Sequence, residues 1–242
     1  MDFELIWVSL PRLFDGALLT VELLVAALAL GMCLALPLAA MRASYNPMLW
    51  MPAYAYIFCF RGTPLLVQIY LIYYGLGQFE ALRESFLWVV FKEAYWCAII
   101  AFTLNTAAYT AEILRGAIQA VPFGEVEAAR ACGMPRFMVF RRIVLPKAFR
   151  LALPAYSNEV ILMLKGSALA GVITLLELFG TARIIVARSF APYELYLTVA
   201  LIYLVITFVI TRGFNRVEHW LSPHMREAPD AEAAPTPVAA RR

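Results

Sequence analysis

Charged residues are scarce in this sequence, and their scarcity indicates the class of protein. Only 15% of the 242 residues are charged, 63% are hydrophobic, and the mean hydropathy is +0.74. A soluble domain needs a charged surface around its core, so this composition excludes one and indicates an integral membrane protein. The net charge is only +3. We expect no nucleic-acid partner.

The sequence also lacks the motifs of several catalytic and metal-binding classes. It contains no GxxxxGK[S/T] phosphate loop, so ATP hydrolysis by this chain is not expected. We predict no catalytic residue, cofactor or metal site in it. The acidic start, MDFELIW, lacks the basic region of a signal peptide, so the first apolar run is predicted to be a retained anchor. The cysteines show no zinc or disulfide spacing and are interpreted as small packing residues: Cys33, Cys59, Cys97 and Cys132.

Five apolar segments are long enough to cross the hydrocarbon core, which takes about 20 residues. In chain order they cover residues 16–41, 52–76, 95–121, 152–178 and 193–211. If the basic segment 122–146 lies inside, thirteen Lys and Arg residues lie inside and five outside. The positive-inside rule then places the N-terminus outside and the C-terminus inside. We predict a single all-α transmembrane domain over 1–222 and a disordered cytoplasmic tail over 223–242.

A polar, basic stretch with the sequence PFGEVEAARACGMPRFMVFRRIVLP separates the third and fourth spans. Helix formers from Glu125 to Cys132 predict a short helix, which Gly133 can end in the left-handed conformation. Pro135 suits the first turn of a second helix, predicted to stop before Pro146. On charge alone, the stretch could lie on anionic lipid headgroups or dock a partner. The Gly-x-Pro break favours docking, because a membrane-surface helix needs no hinge.

Polar side chains inside the spans are candidates for a solute pathway, because an unpaired ionisable group at membrane depth is costly. Glu159, with Ser157 nearby, suits a positively charged solute; the alternative for Glu159 is a buried ion pair. Asn105 in the third span contacts either solute or a neighbouring helix. Arg61 precedes a Gly-Thr-Pro break in the second span. That break exposes backbone carbonyls, so it forms either a gate or a packing kink from which Arg61 snorkels.

Three further expectations concern neighbouring positions. Glu112, near the inner end of the third span, is predicted to pair with Arg115 three positions on. Both Arg61 and Lys165 are candidate ion-pair partners of Glu159, although six residues place Lys165 on another face of the same helix. Residues 77–94 predict a short amphipathic helix on the outer membrane surface.

Several motifs resemble one family of transport proteins. Glu127-Ala128-Ala129, Gly133 and Pro146 fall in the order and spacing of the EAA loop of bacterial ABC importers. The stretches FRGTPLLVQ, AFTLNTAAYTAEILRGAI and ALPAYSNEVILMLK resemble the permease subunits of polar amino-acid importers. The M-type permeases of histidine and lysine/arginine/ornithine systems are the nearest in likeness, with opine permeases close by.

The resemblance implies a type I ABC importer permease fold in the bacterial inner membrane, with a periplasmic N-terminus and a cytoplasmic C-terminus. It implies three partners: a sister permease in a heterodimer, an ATPase dimer that carries ATP and Mg, and a periplasmic amino-acid-binding protein. The pathway residues of the family lie in the third and fourth spans, where this chain has Asn105 and Glu159. The ATPase-docking positions would be Glu127, Ala128, Ala129 and Gly133.

The substrate that this resemblance implies is histidine, arginine, ornithine or lysine, with an opine or another polar amino acid as the alternative. Two other classes remain open from the residues. A secondary transporter or channel would need no ATPase, but it does not explain the hinged loop, and no inverted repeat is visible. In a scaffold or receptor subunit, Glu159 would be purely structural.

Overall fold

The computed structural model describes residues 3–221, which form helices joined by short turns and include no strand. The long helices are α1 (Phe3–Arg42), α2 (Pro47–Gly62), α6 (Ala94–Gln119), α9 (Leu145–Gly166), α10 (Leu178–Ser189) and α11 (Pro192–Leu221). The short helices are α3 (Leu65–Tyr70), α4 (Glu80–Arg83), α5 (Trp88–Phe91), α7 (Phe123–Ala131) and α8 (Arg136–Val139). Helices dominate because, within a bilayer, every backbone polar group must be paired inside its own segment.

The number of possible membrane spans agrees with the sequence-based prediction. By length and composition, α1, α6 and α11 can each cross a membrane. Two bent pairs raise the number to five if each pair is one span. The first pair joins α2 to the segment Leu65–Gln78 with a bend of 105°, and the second joins Arg136–Ile173 to α10 with a bend of 50°. The prediction of an all-α membrane protein with about five spans is confirmed.

The helices do not end where the predicted spans end. Helix α1 begins at Phe3 rather than near residue 16, because the residues before the apolar run also favour helix. The fourth span, predicted to be continuous over 152–178, is broken. Its helix narrows to a 3-10 turn over Ser167–Ile173, and Thr174 then adopts a left-handed conformation with φ of 71°. Hydropathy averages over this break and cannot locate it.

Two predictions for the polar segments are wrong. The second helix of the loop 122–146 does not stop before Pro146, because a wide turn over Phe140–Val144 joins α8 to α9. Pro146 falls in the first turn of α9, where a missing N–H is tolerated. The segment 77–94 forms two four-residue helices, α4 and α5, instead of one amphipathic helix.

Helix α6 lies at the centre of the bundle and contacts α1, α2 and α9. Its buried face is rich in small residues, which allow helices to approach closely in lipid. Gly31 of α1 meets Thr106 of α6 at the closest point. A Cβ atom on Gly31 would lie 2.4 Å from the Thr106 methyl carbon, so no larger residue fits without a shift. This packing positions the polar face of α6 against α2 and α9.

Candidate functional site

A break between α2 and α3 opens one side of the bundle. After Gly62 the backbone is extended at Thr63 and Pro64, and it turns by 105°. The buried side chain of Gln68, which is 6% exposed, forms hydrogen bonds with the backbone carbonyl groups at the break. Its Nε2 lies 2.9 Å from the carbonyl oxygen of Phe60 and 3.1 Å from that of Thr63, so both are satisfied without water.

Asn105 of α6 holds Gln68 in place. Its Nδ2 donates to Gln68 Oε1 at 2.9 Å, and both residues are buried. The predicted interhelical hydrogen bond of Asn105 is therefore present. Asn105 also lines the cavity beside the break, so it occupies a position where it could contact a solute as well.

The break opens into a polar cavity of about 430 Å³, large enough for an amino acid. Three of the four pathway residues predicted from sequence, Arg61, Asn105 and Glu159, line this cavity; Ser157 does not. Ser157 is two residues from Glu159 and projects from a different side of α9. The full lining is Arg61, Gly62, Thr63, Pro64, Leu65, Asn105, Tyr109, Glu159, Leu162 and Met163.

Among residues 3–221, Glu159 is the only acid that lines the cavity, and it is 5% exposed. Thr106 Oγ1 donates a hydrogen bond to Glu159 Oε1 at 3.1 Å. Within residues 3–221, Glu159 forms no ion pair, so neither Arg61 nor Lys165 pairs with it. The carboxylate therefore lies at the cavity wall without a cationic partner among the described residues.

Arg61 supplies the opposite charge on the same cavity. Its guanidinium lies 5.2 Å from the centre of the Tyr109 ring, a cation–π contact that orients the side chain. Tyr109 also contacts the Arg61 carbonyl oxygen through its hydroxyl at 3.5 Å. One cavity thus presents a carboxylate, a guanidinium and an amide between apolar walls. This arrangement complements a solute that carries both charges.

Glu112 lies on the same helix as Asn105 but has a structural role. Arg115 Nε donates to Glu112 Oε1 at 2.8 Å, and Arg115 also contacts Gln119 at 2.6 Å. The predicted pairing of Glu112 with Arg115 is confirmed.

Sequence reasoning missed two buried polar residues, Gln68 and Glu177. Gln68 could have been noticed as the one amide in the apolar run that follows the Gly-Thr-Pro break. Glu177 is fully buried and caps α10, where it accepts hydrogen bonds from the backbone N–H groups of Phe179 and Gly180, both at 2.7 Å. Tyr203 of α11 contacts the same carboxylate at 3.4 Å. An acid just before a new helical run is an N-cap signal that could have revealed it.

The loop 122–146 has the hinge that its sequence predicts. Helix α7 ends at Ala131, and Gly133 adopts a left-handed conformation with φ of 78°. The N–H of Gly133 donates to the Arg130 carbonyl at 2.9 Å, and that of Met134 donates to Ala129 at 3.2 Å. These bonds close the helix end in the manner of a glycine cap.

The four predicted docking positions do not share one environment. Glu127, Ala128 and Gly133 are exposed, whereas Ala129 is 7% exposed and faces its own chain. The small Ala129 side chain therefore lets α7 pack closely on its own chain. Two aromatic side chains that the motif does not include, Phe123 and Phe137, are 67% and 74% exposed on the same loop.

An ion pair links the loop to the helix that carries Glu159. Glu125 of α7 pairs with Lys147 at the start of α9. Val126 packs beside this pair, against a cluster that contains Ala148 and Ala117. Helix α7 is thereby attached to the base of α9, and α9 continues to the cavity.

Replacing Lys147 with glutamate is expected to loosen α7 without unfolding the protein. An exposed ion pair contributes only about 0–1 kcal/mol, so the melting temperature should change little. Hydrogen exchange of residues 123–131 should increase, because Glu125 then faces a like charge. The double variant Glu125→Lys with Lys147→Glu reverses both charges and should restore slow hydrogen exchange. Identical exchange in Lys147→Glu and wild type would show that the pair does not hold α7.

A bundle of membrane helices with a charged cavity and an exposed, hinged loop is typical of a membrane-embedded transport component. The chain belongs to the family described as "Binding-protein-dependent transport system inner membrane component", whose model matches residues 27–226. The permease resemblance seen in its motifs is confirmed, and the family is that of a transport subunit in the inner membrane.

Named relatives and a solved structure support this membership over nearly the full chain. The chain is 50% identical over 225 residues to the octopine transport system permease protein OccM of Rhizobium radiobacter, covering 93% of this chain and 92% of that protein. It is 44% identical to the histidine/lysine/arginine/ornithine transport system permease protein HisM of Escherichia coli K12, covering 90% and 92%. A crystal structure of an amino acid ABC transporter with histidines matches with a TM-score of 0.82 at 35% identity, covering 91% of this chain and 99% of that one.

Proposed function

We propose that this chain is the translocation subunit of an ABC importer for a basic or polar amino acid. The observation that carries the proposal is the cavity at the α2–α3 break, where Glu159 and Arg61 present opposite charges. A basic amino acid has a cationic side chain that suits Glu159 and an α-carboxylate that suits Arg61. Histidine, arginine, ornithine and lysine all fit this description.

An opine is the second candidate substrate. The relative with 50% identity is an octopine permease, whereas the histidine-system relative has 44% identity. Opines also carry cationic and anionic groups together, so the same cavity chemistry applies to them. Competition for uptake separates the two candidates.

The exposed loop 122–146 is the second observation behind the proposal, because it offers a docking face for a partner ATPase. The chain contains no phosphate loop, and its family is described as part of a binding-protein-dependent transport system, so we infer a separate subunit that carries ATP and Mg. The exposed residues Glu127, Ala128 and Gly133, with Phe123 and Phe137 beside them, form the proposed docking face. A sister permease would complete the pathway, and a periplasmic binding protein would deliver the solute. In this arrangement the loop and the C-terminus are cytoplasmic and the N-terminus is periplasmic.

The proposal is tested by uptake of labelled arginine into proteoliposomes that hold this chain, its sister permease and the ATPase. Binding protein is supplied outside and ATP inside, with histidine, lysine, octopine and glutamine as competitors. Uptake that requires both ATP and binding protein supports an importer, and the competition order identifies the solute. Uptake without ATP would instead indicate a secondary transporter. ATP hydrolysis with no arginine uptake would contradict the basic-substrate assignment.

Replacing Gly133 with valine is expected to uncouple ATP hydrolysis from uptake. A side chain in the left-handed region costs on the order of 1–2 kcal/mol, so the hinge between α7 and α8 should lose its conformation. Uptake per ATP hydrolysed in the proteoliposomes measures the effect. Gly133→Asn should be tolerated better, because asparagine accepts this conformation. Gly124→Ala is the matched control, since Gly124 is helical with open space around it. If Gly133→Val keeps the wild-type ratio of uptake to ATP hydrolysis, the conformation of Gly133 plays no part in coupling.

A further inference from the structure

A second polar cavity lies between the N-terminal part of α1 and the C-terminal end of α10. Its volume is about 300 Å³, and two arginines, Arg12 and Arg188, line it. Val8 and Ile184 are among its aliphatic walls. The loop 122–146 leads into α9, and α9 leads through the broken span to α10. The cavity is therefore at the membrane face opposite the loop.

Neither arginine has a partner in the part of the chain that the structure describes. Both side chains are exposed, and the two ion pairs found within residues 3–221 involve other residues. Arginine is uncommon on this side of the membrane, since only five of the 20 basic residues are assigned to it. Two of those five line one small cavity. A guanidinium pair of this kind suits an anion with several oxygen atoms, such as a phosphate group.

The cavity lies at the depth of the lipid headgroups. The apolar part of α11 begins near Tyr193 and ends at Thr211, before Arg212. Nineteen helical residues span about 28 Å, close to the thickness of the hydrocarbon core. Arg188 precedes this segment by five residues, so it lies just outside the core. Trp7 and Phe190 are each next in sequence to a cavity-lining residue, and they are 77% and 87% exposed. Exposed aromatic residues of this kind are typical of the membrane interface.

We propose that this cavity binds the headgroup of a phospholipid. The phosphodiester lies between Arg12 and Arg188, and the start of an acyl chain packs against Val8 and Ile184. The aliphatic wall favours a lipid over an acidic segment of a protein, because a carboxylate would gain nothing from it. Phosphatidylglycerol is the preferred ligand, since its headgroup adds no ammonium to repel the two guanidinium groups.

Native mass spectrometry of the full-length chain in its purified assembly tests the proposal, with added dioleoylphosphatidylglycerol as the probe. Wild type should retain one tightly bound lipid for each copy of the chain. Arg12→Gln with Arg188→Gln should weaken that binding roughly tenfold or more. Arg12→Lys with Arg188→Lys keeps the charge and should weaken it less. Arg83→Gln is the matched control: Arg83 is exposed, also assigned to the outer side, and absent from the cavity lining.

Two outcomes would overturn the proposal. Equal lipid retention in wild type and in Arg12→Gln with Arg188→Gln would place the lipid elsewhere. Displacement of the lipid by millimolar inorganic phosphate would indicate a site for free anions. In the first case, a loss of the stimulation of ATP hydrolysis by a binding protein in the same variant would assign these arginines to a protein contact. Size-exclusion chromatography of each variant verifies that the assembly remains intact.

Discussion

Replacing Glu159 with glutamine is expected to reduce uptake of a basic amino acid by roughly tenfold to a hundredfold. A hydrogen bond to a charged group contributes about 1.5–3 kcal/mol, and Glu159 is the only acid on the cavity wall in the described part of the chain. Glutamine keeps the side-chain volume and can still accept the hydrogen bond from Thr106. The change therefore removes charge and little else. Initial rates of labelled arginine uptake into proteoliposomes measure the effect.

Two comparisons make this result specific. Ser157 lies on the same helix as Glu159 but does not line the cavity. The Ser157→Ala variant should therefore take up arginine at the wild-type rate. Competition by neutral glutamine should be affected less than competition by lysine, because only lysine carries the side-chain cation that Glu159 attracts. If Glu159→Gln transports arginine at the wild-type rate with an unchanged competition order, Glu159 is a structural residue. The cationic-substrate inference would then fail, while the family membership would stand.

Replacing Glu177 with alanine should cause the largest loss of stability among the substitutions considered. The carboxylate accepts from the backbone N–H groups of Phe179 and Gly180 and contacts the Tyr203 hydroxyl. Alanine would leave these donors without their acceptor, and the N–H of the buried Gly180 would then be unsatisfied at about 1–3 kcal/mol. The bend between the broken fourth span and α10 would lose its cap, so α10 should detach from α1 and α11.

The melting temperature of the purified protein in detergent and the monodisperse fraction after chromatography measure this effect. Glu177→Gln separates the loss of acceptors from the loss of charge. Its amide oxygen can still accept from one or both N–H groups, so the variant should remain folded with a smaller drop in melting temperature. Glu194→Ala is a control at an acid in the first turn of α11, which caps no break. A melting temperature of Glu177→Ala equal to wild type would contradict the capping role.

Local sequence patterns were sufficient for much of this architecture. Long apolar runs predict helices because a bilayer leaves the backbone no other partner, and five such runs predicted the five possible spans. Gly133 predicted a left-handed helix end, since glycine has no Cβ to clash in that conformation, and its φ is 78°. Glu112 and Arg115 are three residues apart on one helix, so their ion pair also followed from spacing.

The composition and order of this chain thus determine its class, its helices, its hinge and the presence of a carboxylate at membrane depth. The tertiary structure alone determines which polar groups meet. Asn105 bonds Gln68 from another helix, Glu159 lines a cavity that Ser157 does not reach, and Ala129 faces inward although its neighbour Ala128 is exposed. Hydropathy and helical spacing describe neighbours along one helix. Contacts between helices depend on where each helix bends and how closely small residues such as Gly31 let two helices approach.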